Sequence, residues 1–279
     1  MVNQFEDKST LGRFIMYVHS DALEGTGLRE GPPVPFNTFV YNKGAEQQVV
    51  IDGVSYKMPG DSILPLVAHQ HFQFETPGEL VAWQFNREFY CIADHDAEVG
   101  CVGFLFYGID HPMFIKLGLE ENETVKCLET MFAAEWQTKD LFQGEMLRTL
   151  LKHLIIKVTR MAKQQNPHYR QFPHEKLDIV RHFALLLEGN FKQEHGVKFY
   201  ADQLNRSPKT LSNLFGLLQH PSPSRLIQNR IVLEAKRYLL YTEKSSKEIA
   251  NELGFDSAAH FSRFFKAYVG RNVSDFRKN

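Results

Sequence analysis

Two histidines and a glutamate lie close together in the segment HQHFQFE, residues 69–75. His69, His71 and Glu75 have the same parity, so on a β-strand their side chains would share one face. Imidazole and carboxylate groups are ligands that zinc and similar divalent metals take. No third histidine follows at a suitable spacing, so we expect a structural or ligand-pocket role for this pair and no metal site.

A second group of polar residues lies in IANELGFDSAAHFSRFFKAY, residues 249–268. Helical spacing places large rings, including Phe261 and Phe265, on one side of the second helix in this stretch. The other side carries small or polar residues: Ala258, Ala259, His260, Ser262 and Arg263. Such a helix can pack its aromatic side into a bundle and leave the other side free for a partner.

The same pattern occurs about 50 residues upstream, in FYADQLNRSPKTLSNLFGLL, residues 199–218. Each copy predicts a short helix, a tight turn and a second helix, with Gly254 in the second turn. Ser207 and Ser257 stand where each second helix should begin, and serine is a favoured N-cap. A repeated helix-turn-helix pattern favours DNA binding over an ordinary helical bundle.

The segment PSRLIQNRIVLEAKRYLLY joins the two copies and predicts one helix of about 18 residues, about 27 Å long. One turn of B-DNA measures about 34 Å. A rod of that length could hold two recognition helices in successive major grooves.

The charge of the chain is unevenly divided. The whole sequence has a net charge of −1, but residues 176–279 hold 17 lysines and arginines against 10 acids, a net charge of +7. Residues 1–175 hold 15 against 23, a net charge of −8. A basic C-terminal half suggests that this half meets a polyanion.

Before the repeat, the predicted secondary structure changes from strands to helices near Gly118. Residues 36–105 read as short strands with Gly/Pro turns, including a hairpin around Asp52-Gly53, and predict a sandwich or small barrel. Two helices should follow, the second over residues 140–163, with one apolar stripe: Leu147, Leu150, Leu151, Leu154, Ile155 and Val158. This stripe could pack on its own β domain, or on a second subunit, or on both.

Length and composition limit the class of protein. A chain of 279 residues with ordinary apolar content suggests about two domains. Three scattered cysteines, Cys91, Cys101 and Cys127, predict reduced thiols. We see no leader peptide and no run long and apolar enough to span a membrane, and we expect a cytoplasmic protein.

The C-terminal residues resemble the AraC/XylS family of bacterial transcription regulators. The resemblance rests on Ile249-Ala250, Gly254-Phe255, the Ser257 cap, residues 261–266, Gly270 and Phe276-Arg277, together with the upstream copy and the joining helix. It covers about 105 residues, 175–279. It implies two helix-turn-helix units on a shared helix, with recognition helices at 207–218 and 257–268.

Carried over by position, this resemblance implies DNA contacts from two sets of residues. The first helix would use Lys209, Thr210, Ser212 and Asn213, and the second would use Ala258, Ala259, His260, Ser262 and Arg263. Asparagine can read adenine, and lysine or arginine can contact guanine or phosphate. The chain departs from the family at His220, where glycine is usual, and near Val273, where proline is usual.

The N-terminal half resembles, more generically, the cupin-like sensor barrel of such regulators. We therefore predict an α+β multidomain protein: a cupin-like sensor (1–118), a helical pair for dimerisation (119–164), a linker (165–174) and an all-α double helix-turn-helix domain (175–279). Side chains that could line an effector pocket inside the barrel are Phe39, Tyr41, His69, His71, Trp83 and Phe85.

These features together predict a transcription regulator that binds double-stranded DNA and responds to a small molecule. We expect a homodimer without cofactor or enzymatic activity, with RNA polymerase as a possible partner. Two alternatives stay open at this stage. One is a cupin-type metalloenzyme or isomerase with an attached helical domain, and the other is a ligand-free protein that regulates through other proteins.

Overall fold

The computed structural model describes residues 1–23, 36–68, 70–92, 94–99, 105, 112–165, 174–218 and 221–277. The chain divides into two compact units, Met1–Arg170 and Gln171–Asn279. His69, Cys101, His220 and most of the expected linker lie outside the described residues. In the described residues, no helix is long and apolar enough to cross a membrane.

The first unit contains antiparallel strands in two sheets. The strands are β1 (Val2–Asp7), β2 (Gly12–Val18), β3 (Asn37–Asn42), β4 (Gln47–Ile51), β5 (Val54–Met58), β6 (Ser62–Leu66), β7 (Phe72–Phe74), β8 (Leu80–Phe85) and β9 (Ile115–Lys116). Six form a sheet in the order β1-β2-β8-β3-β6-β9, and three form a sheet in the order β5-β4-β7. Within the described residues these sheets do not join into one closed barrel.

The hairpin predicted around Asp52-Gly53 is confirmed. Ile51 pairs with Val54, and both turn residues have positive φ, 47° for Asp52 and 80° for Gly53. Aspartate and glycine tolerate this backbone, which is that of a type I′ turn. The sequence analysis did not predict β1 and β2, which form one edge of the larger sheet.

Three helices follow the strands of the first unit: α1 (Asp96–Val99), α2 (Leu119–Glu135) and α3 (Gln143–Gln165). All six residues of the predicted α3 stripe are at most 4% exposed in the single chain. The stripe therefore packs on its own unit. At one end of α3, Gly144 lies against the ring of Phe5, and Arg148 pairs with Asp7 at 3.1 Å.

The regular elements of the second unit, within its described residues, are all helices. Its helices are α4 (His174–Asn190), α5 (Val197–Gln203), α6 (Pro208–Leu217), α7 (Pro223–Tyr241), α8 (Ser246–Glu252), α9 (Ala258–Val269) and α10 (Val273–Arg277). The helix predicted to join the two repeat copies is α7, with 19 residues. Its buried side includes Ile227, Ile231 and Ala235, each at most 1% exposed.

Candidate nucleic-acid interface

The two repeat copies share the same turn geometry. After α5, Asn205 has a left-handed backbone (φ 52°), and the Arg206 N–H donates to the Ala201 carbonyl at 2.9 Å. After α8, Gly254 has φ 72°, and the Phe255 N–H donates to the Ala250 carbonyl at 2.8 Å. Both are Schellman turns, which end a helix and redirect the chain sharply. The repeat predicted from side chains therefore also exists in the backbone.

Serine side chains begin the second helix of each copy, as predicted. The hydroxyl of Ser207 accepts a hydrogen bond from the Thr210 N–H at 3.0 Å, and that of Ser257 accepts one from the His260 N–H at 3.2 Å. Each bond satisfies a backbone donor that the first turn of a helix leaves free. The helices α6 and α9 therefore start at fixed positions.

Buried aromatic residues hold α6 and α9 in the second unit. The ring of Phe215 on α6 lies against the ring of Phe183 on α4, with 5.0 Å between the ring centroids. Phe261 and Phe265 of α9 are both fully buried. Phe264 is half-buried and lies 5.1 Å from Phe255 in the preceding turn. The aromatic side of α9 is thus the inward side, as its spacing predicts.

The opposite sides of both helices face solvent. Lys209, Thr210, Ser212 and Asn213 are exposed on α6, and Ala259, His260 and Arg263 are exposed on α9, while Ala258 and Ser262 are half-buried. We call these nine residues the exposed recognition faces. Thr210 also uses its hydroxyl in a 2.8 Å contact with Ser207. His260 lies beside Asp256, with 3.8 Å between Nδ1 and Oδ2.

Sequence reasoning missed one further turn of each face. Gly216 and Leu217 of α6 and Lys266 and Ala267 of α9 are also exposed, and Leu217 keeps 50% of its surface. They follow Ser212, Asn213, Ser262 and Arg263 at a spacing of four residues. Continuing the helical period along the helix would have found them.

A buried ion cluster fixes α7 against α4. The Arg230 guanidinium lies 2.8 Å from Glu188 Oε1 and 2.8 Å from Glu234 Oε2, and its carbon lies 3.9 Å from the centre of the Phe191 ring. Burial by itself lowers the pKa of Arg230, but the two carboxylates outweigh burial and raise it. Because α7 joins both copies, this cluster stabilises the helix that sets their spacing.

The aromatic residues expected inside the barrel require a correction. Val40 and Ala82 belong to the apolar cluster between the two sheets, so their strand neighbours Phe39, Tyr41, Trp83 and Phe85 point to the other side of the larger sheet. That side packs on helices: Trp83 lies 6.0 Å from Phe132 of α2, and the Tyr41 hydroxyl donates to Asn122 of α2. Burial, then the nearby charges of Asp61, Glu129 and Glu123, raises the pKa of Tyr41 to about 12.

Of the histidine pair His69 and His71, only His71 lies in the described residues. The His71 N–H donates to Asp52 at 3.0 Å, and Glu75 accepts from the Gln48 N–H at 3.1 Å. Among the described residues, no three His, Cys, Asp or Glu side chains stand together as metal ligands.

Two helix-turn-helix units on one connecting helix define the class of the second unit. Residues 200–279 match the helix-turn-helix domain family. The C-terminal part of the chain therefore carries a helix-turn-helix domain.

The chain is similar to several HTH-type transcriptional regulators. It is 30% identical over 167 residues to the regulator YfiF of Bacillus subtilis, which covers 59% of this chain and 53% of YfiF. It is 30% identical over 139 residues to the regulator GbdR of Pseudomonas aeruginosa, covering 50% of this chain and 35% of GbdR. The chain thus spans about half the length of the first relative and about a third of the second.

Solved structures include partial and full-length matches. The C-terminal domain of AraT, a response regulator from Geobacillus stearothermophilus, is 30% identical; the match covers 36% of this chain and 84% of that domain's chain, with a TM-score of 0.34. ToxT from Vibrio cholerae is 13% identical and covers 99% of this chain and 96% of its own, with a TM-score of 0.43.

Proposed function

We propose that this protein is an AraC-family transcription regulator that binds double-stranded DNA through α6 and α9 and responds to a small-molecule effector. The observation that carries this proposal is the repeated unit of Schellman turn, serine cap and exposed recognition face. Both faces carry groups that hydrogen-bond base edges or phosphates, and neither is crowded by large side chains. DNA in the cytoplasm is the expected target, with RNA polymerase as a further expected partner.

The proposed division of labour follows the sequence analysis. Residues 1–118 would be a cupin-like sensor, 119–164 a helical pair for dimerisation, 165–174 a linker and 175–279 the DNA-binding domain. The effector would shift the balance between conformations that differ in affinity for DNA. The residues proposed to contact DNA are those of the exposed recognition faces.

Binding to DNA is tested by selecting sequences from random duplexes with the full chain and measuring affinity over a range of salt concentrations. We expect affinity to fall steeply with salt, because phosphate contacts release counterions. Arg263→Ala should weaken binding by about 1–3 kcal/mol. Asn213→Ala should instead relax the base preference at one half-site, since α6 offers more base-reading groups than α9.

Lys57→Ala is the matched control for Arg263→Ala, because it removes one positive charge from an exposed residue in the other unit. It should leave affinity and salt dependence unchanged. Salt-independent binding, or equal weakening by both substitutions, would contradict the proposal. Equal base-pair specificity at both half-sites would contradict only the expected difference between α6 and α9.

The proposed homodimer would use apolar residues around the connection between α2 and α3. The buried α3 stripe is already occupied, whereas four apolar side chains near this connection are exposed: Met131 (45%), Leu141 (97%), Phe142 (73%) and Met146 (46%). An exposed apolar group of this kind marks an interaction surface.

Sedimentation of the full chain and of Leu141→Glu tests the dimer, with Leu119→Glu as the control. Leu119 is similarly exposed, at 91%, but lies at the opposite end of α2. We expect Leu141→Glu to shift the equilibrium toward monomer and Leu119→Glu to leave it unchanged. A wild-type chain that stays monomeric at all concentrations would refute the dimer.

A further inference from the structure

Two buried oxygen atoms in the middle of the larger sheet have no hydrogen-bond partner among the described residues. They are Thr38 Oγ1 on β3 and Gln84 Oε1 on β8, and the two residues are direct cross-strand partners. Thr38 is fully buried and Gln84 is 1% exposed. A buried polar atom without a partner is costly, so such atoms call for a physical reason.

Thr38 and Gln84 point into the space between the two sheets. Thr38 lies two residues from Val40 on β3, and Gln84 lies two residues from Ala82 on β8, so each pair has its side chains on the same side of the sheet. Val40 and Ala82 belong to the apolar cluster between the sheets. Leu66, the β6 partner of Thr38, belongs to the same cluster. The two unpartnered oxygens therefore border an apolar wall.

Two other buried polar residues on the inner side of the larger sheet, Asn42 and Ser62, are satisfied. At the opposite end of the same strands, the Asn42 amide donates to the Ala45 and Pro59 carbonyls at 2.9 and 3.0 Å. The Ser62 hydroxyl donates to the Pro59 carbonyl at 2.6 Å. The fold thus supplies backbone partners at one end of these strands and leaves Thr38 and Gln84 without them at the other.

A cationic side chain lies on the strand next to Gln84, one diagonal position away. Arg13 on β2 shares the inner side with Ile15, the β2 partner of Gln84, and its buried Nε has no hydrogen-bond partner among the described residues. Glu6 is the β1 partner of Arg13, yet no described carboxylate comes within the 4.0 Å ion-pair distance of Arg13. Three neighbouring strands therefore carry an N–H donor, a hydroxyl and an amide on the same side of the sheet, near the same end.

We propose that Arg13, Thr38 and Gln84 form the head-group site of the effector, and that the effector is an organic carboxylate with an apolar body. The guanidinium suits a carboxylate. The Thr38 hydroxyl can donate a second hydrogen bond, and the Gln84 amide can present either its oxygen or its N–H₂ to the ligand. The apolar body would lie against Val40, Leu66 and Ala82. This proposal rests on the proposed function, because it gives the sensor a ligand class.

The experiment measures binding of octanoate and benzoate to the full chain by calorimetry, with 1-octanol and octylamine as uncharged and cationic comparators. We expect saturable binding of at least one carboxylate and weaker binding of both comparators. Arg13→Met, Thr38→Val and Gln84→Met should each weaken carboxylate binding roughly 10-fold or more, the effect of one lost hydrogen bond to a charged group.

Thr159→Val is the matched control, because Thr159 is also buried in this unit but its hydroxyl already donates to the Ile155 carbonyl at 2.7 Å. It should leave carboxylate binding unchanged. Thermal unfolding without ligand provides a second readout: Thr38→Val should not lower the midpoint, since it removes a polar atom that has no partner in the fold.

Three results would overturn the proposal: no carboxylate binds, 1-octanol binds as tightly as octanoate, or binding survives all three substitutions. DNA affinity of the same preparations separates this failure from failure of the proposed function. Retained sequence-specific DNA binding with no carboxylate binding would reject the effector site alone. Carboxylate binding without DNA binding would reject the proposed function alone.

Discussion

Replacing Arg230 with methionine is expected to lower the free energy of unfolding of the C-terminal unit by about 3–5 kcal/mol. The substitution keeps an unbranched side chain on Phe191 but leaves Glu188 and Glu234 buried without their main cation. The side chains of Arg230, Glu188 and Glu234 are only 12%, 22% and 7% exposed, so water cannot replace the lost charge fully. A buried carboxylate without a partner is far more costly than a lost surface pair.

Hydrogen exchange on peptides of α4 and α7 in the full chain measures this loss. Both tryptophans of the protein, Trp83 and Trp136, lie in the first unit, so tryptophan fluorescence should report unchanged unfolding there. The double variant Glu188→Leu/Arg230→Met should recover part of the loss, because Glu234 keeps Arg237 at 3.5 Å. Lys126→Met breaks an exposed pair of similar length, 2.9 Å, and should leave the stability nearly unchanged because water screens that pair.

Exchange rates in α4 and α7 that match those of the wild type after Arg230→Met would contradict this expectation. They would mean that packing on Phe191, and not the ion cluster, holds the connecting helix in place.

The sequence predicts those parts of the fold that local chemistry determines. The serine caps, the Asp52-Gly53 hairpin and the buried stripe of α3 all depend on residues within a few positions of each other, and the structure confirms each of them. The exposed recognition faces are also local, since helical period and side-chain size together place them. These are the features on which the proposed function rests.

Features that join distant parts of the chain were not predictable in this way. Glu188 and Arg230 are 42 residues apart, and no local pattern connects them. All six residues of β3 and of β8 are buried, so alternation of apolar and polar residues, which would show the inner side, is lost. That is why the sequence analysis placed Phe39 and Trp83 on the wrong side of the sheet.

The proposed effector site could not be predicted from the sequence either, because it also joins distant parts of the chain. Thr38 and Gln84 are polar residues in buried strands, and nothing in the local sequence pattern distinguishes them from other buried polar residues such as Asn42. Only the register shows that they are direct partners, and only the packing shows that their oxygens lack hydrogen bonds. A polar pair on adjacent buried strands therefore signals a site only after the topology is known.

Gly254→Ala is expected to lower the free energy of unfolding of the second helix-turn-helix unit by about 3 kcal/mol or more, for two separable reasons. First, Gly254 has φ 72°, which costs any residue with a Cβ about 1–2 kcal/mol. Second, a Cβ there would lie 2.0 Å from the Lys192 carbonyl oxygen, which is backbone and cannot rotate away. The segment after α4 would have to move away from the turn between α8 and α9.

Gly270→Ala separates these two reasons. Gly270 ends α9 with φ 78°, nearly the same backbone as Gly254, but nothing lies within 4 Å of its Cβ position. The Gly270→Ala variant should therefore lose only about 1 kcal/mol of unfolding free energy. The difference between the two variants then measures the contribution of the contact with Lys192. Exchange rates of peptides from α8 and α9 in the full chain measure both losses.

The contact with Lys192 also predicts how each variant affects DNA recognition. If that contact holds the second recognition helix in register with the first, Gly254→Ala should abolish discrimination at the half-site read by α9 while α6 still selects its own bases. Gly270→Ala should keep discrimination at both half-sites. Equal stability losses in the two variants, or intact two-site selectivity in Gly254→Ala, would show that the close approach at Lys192 does not set the position of α9.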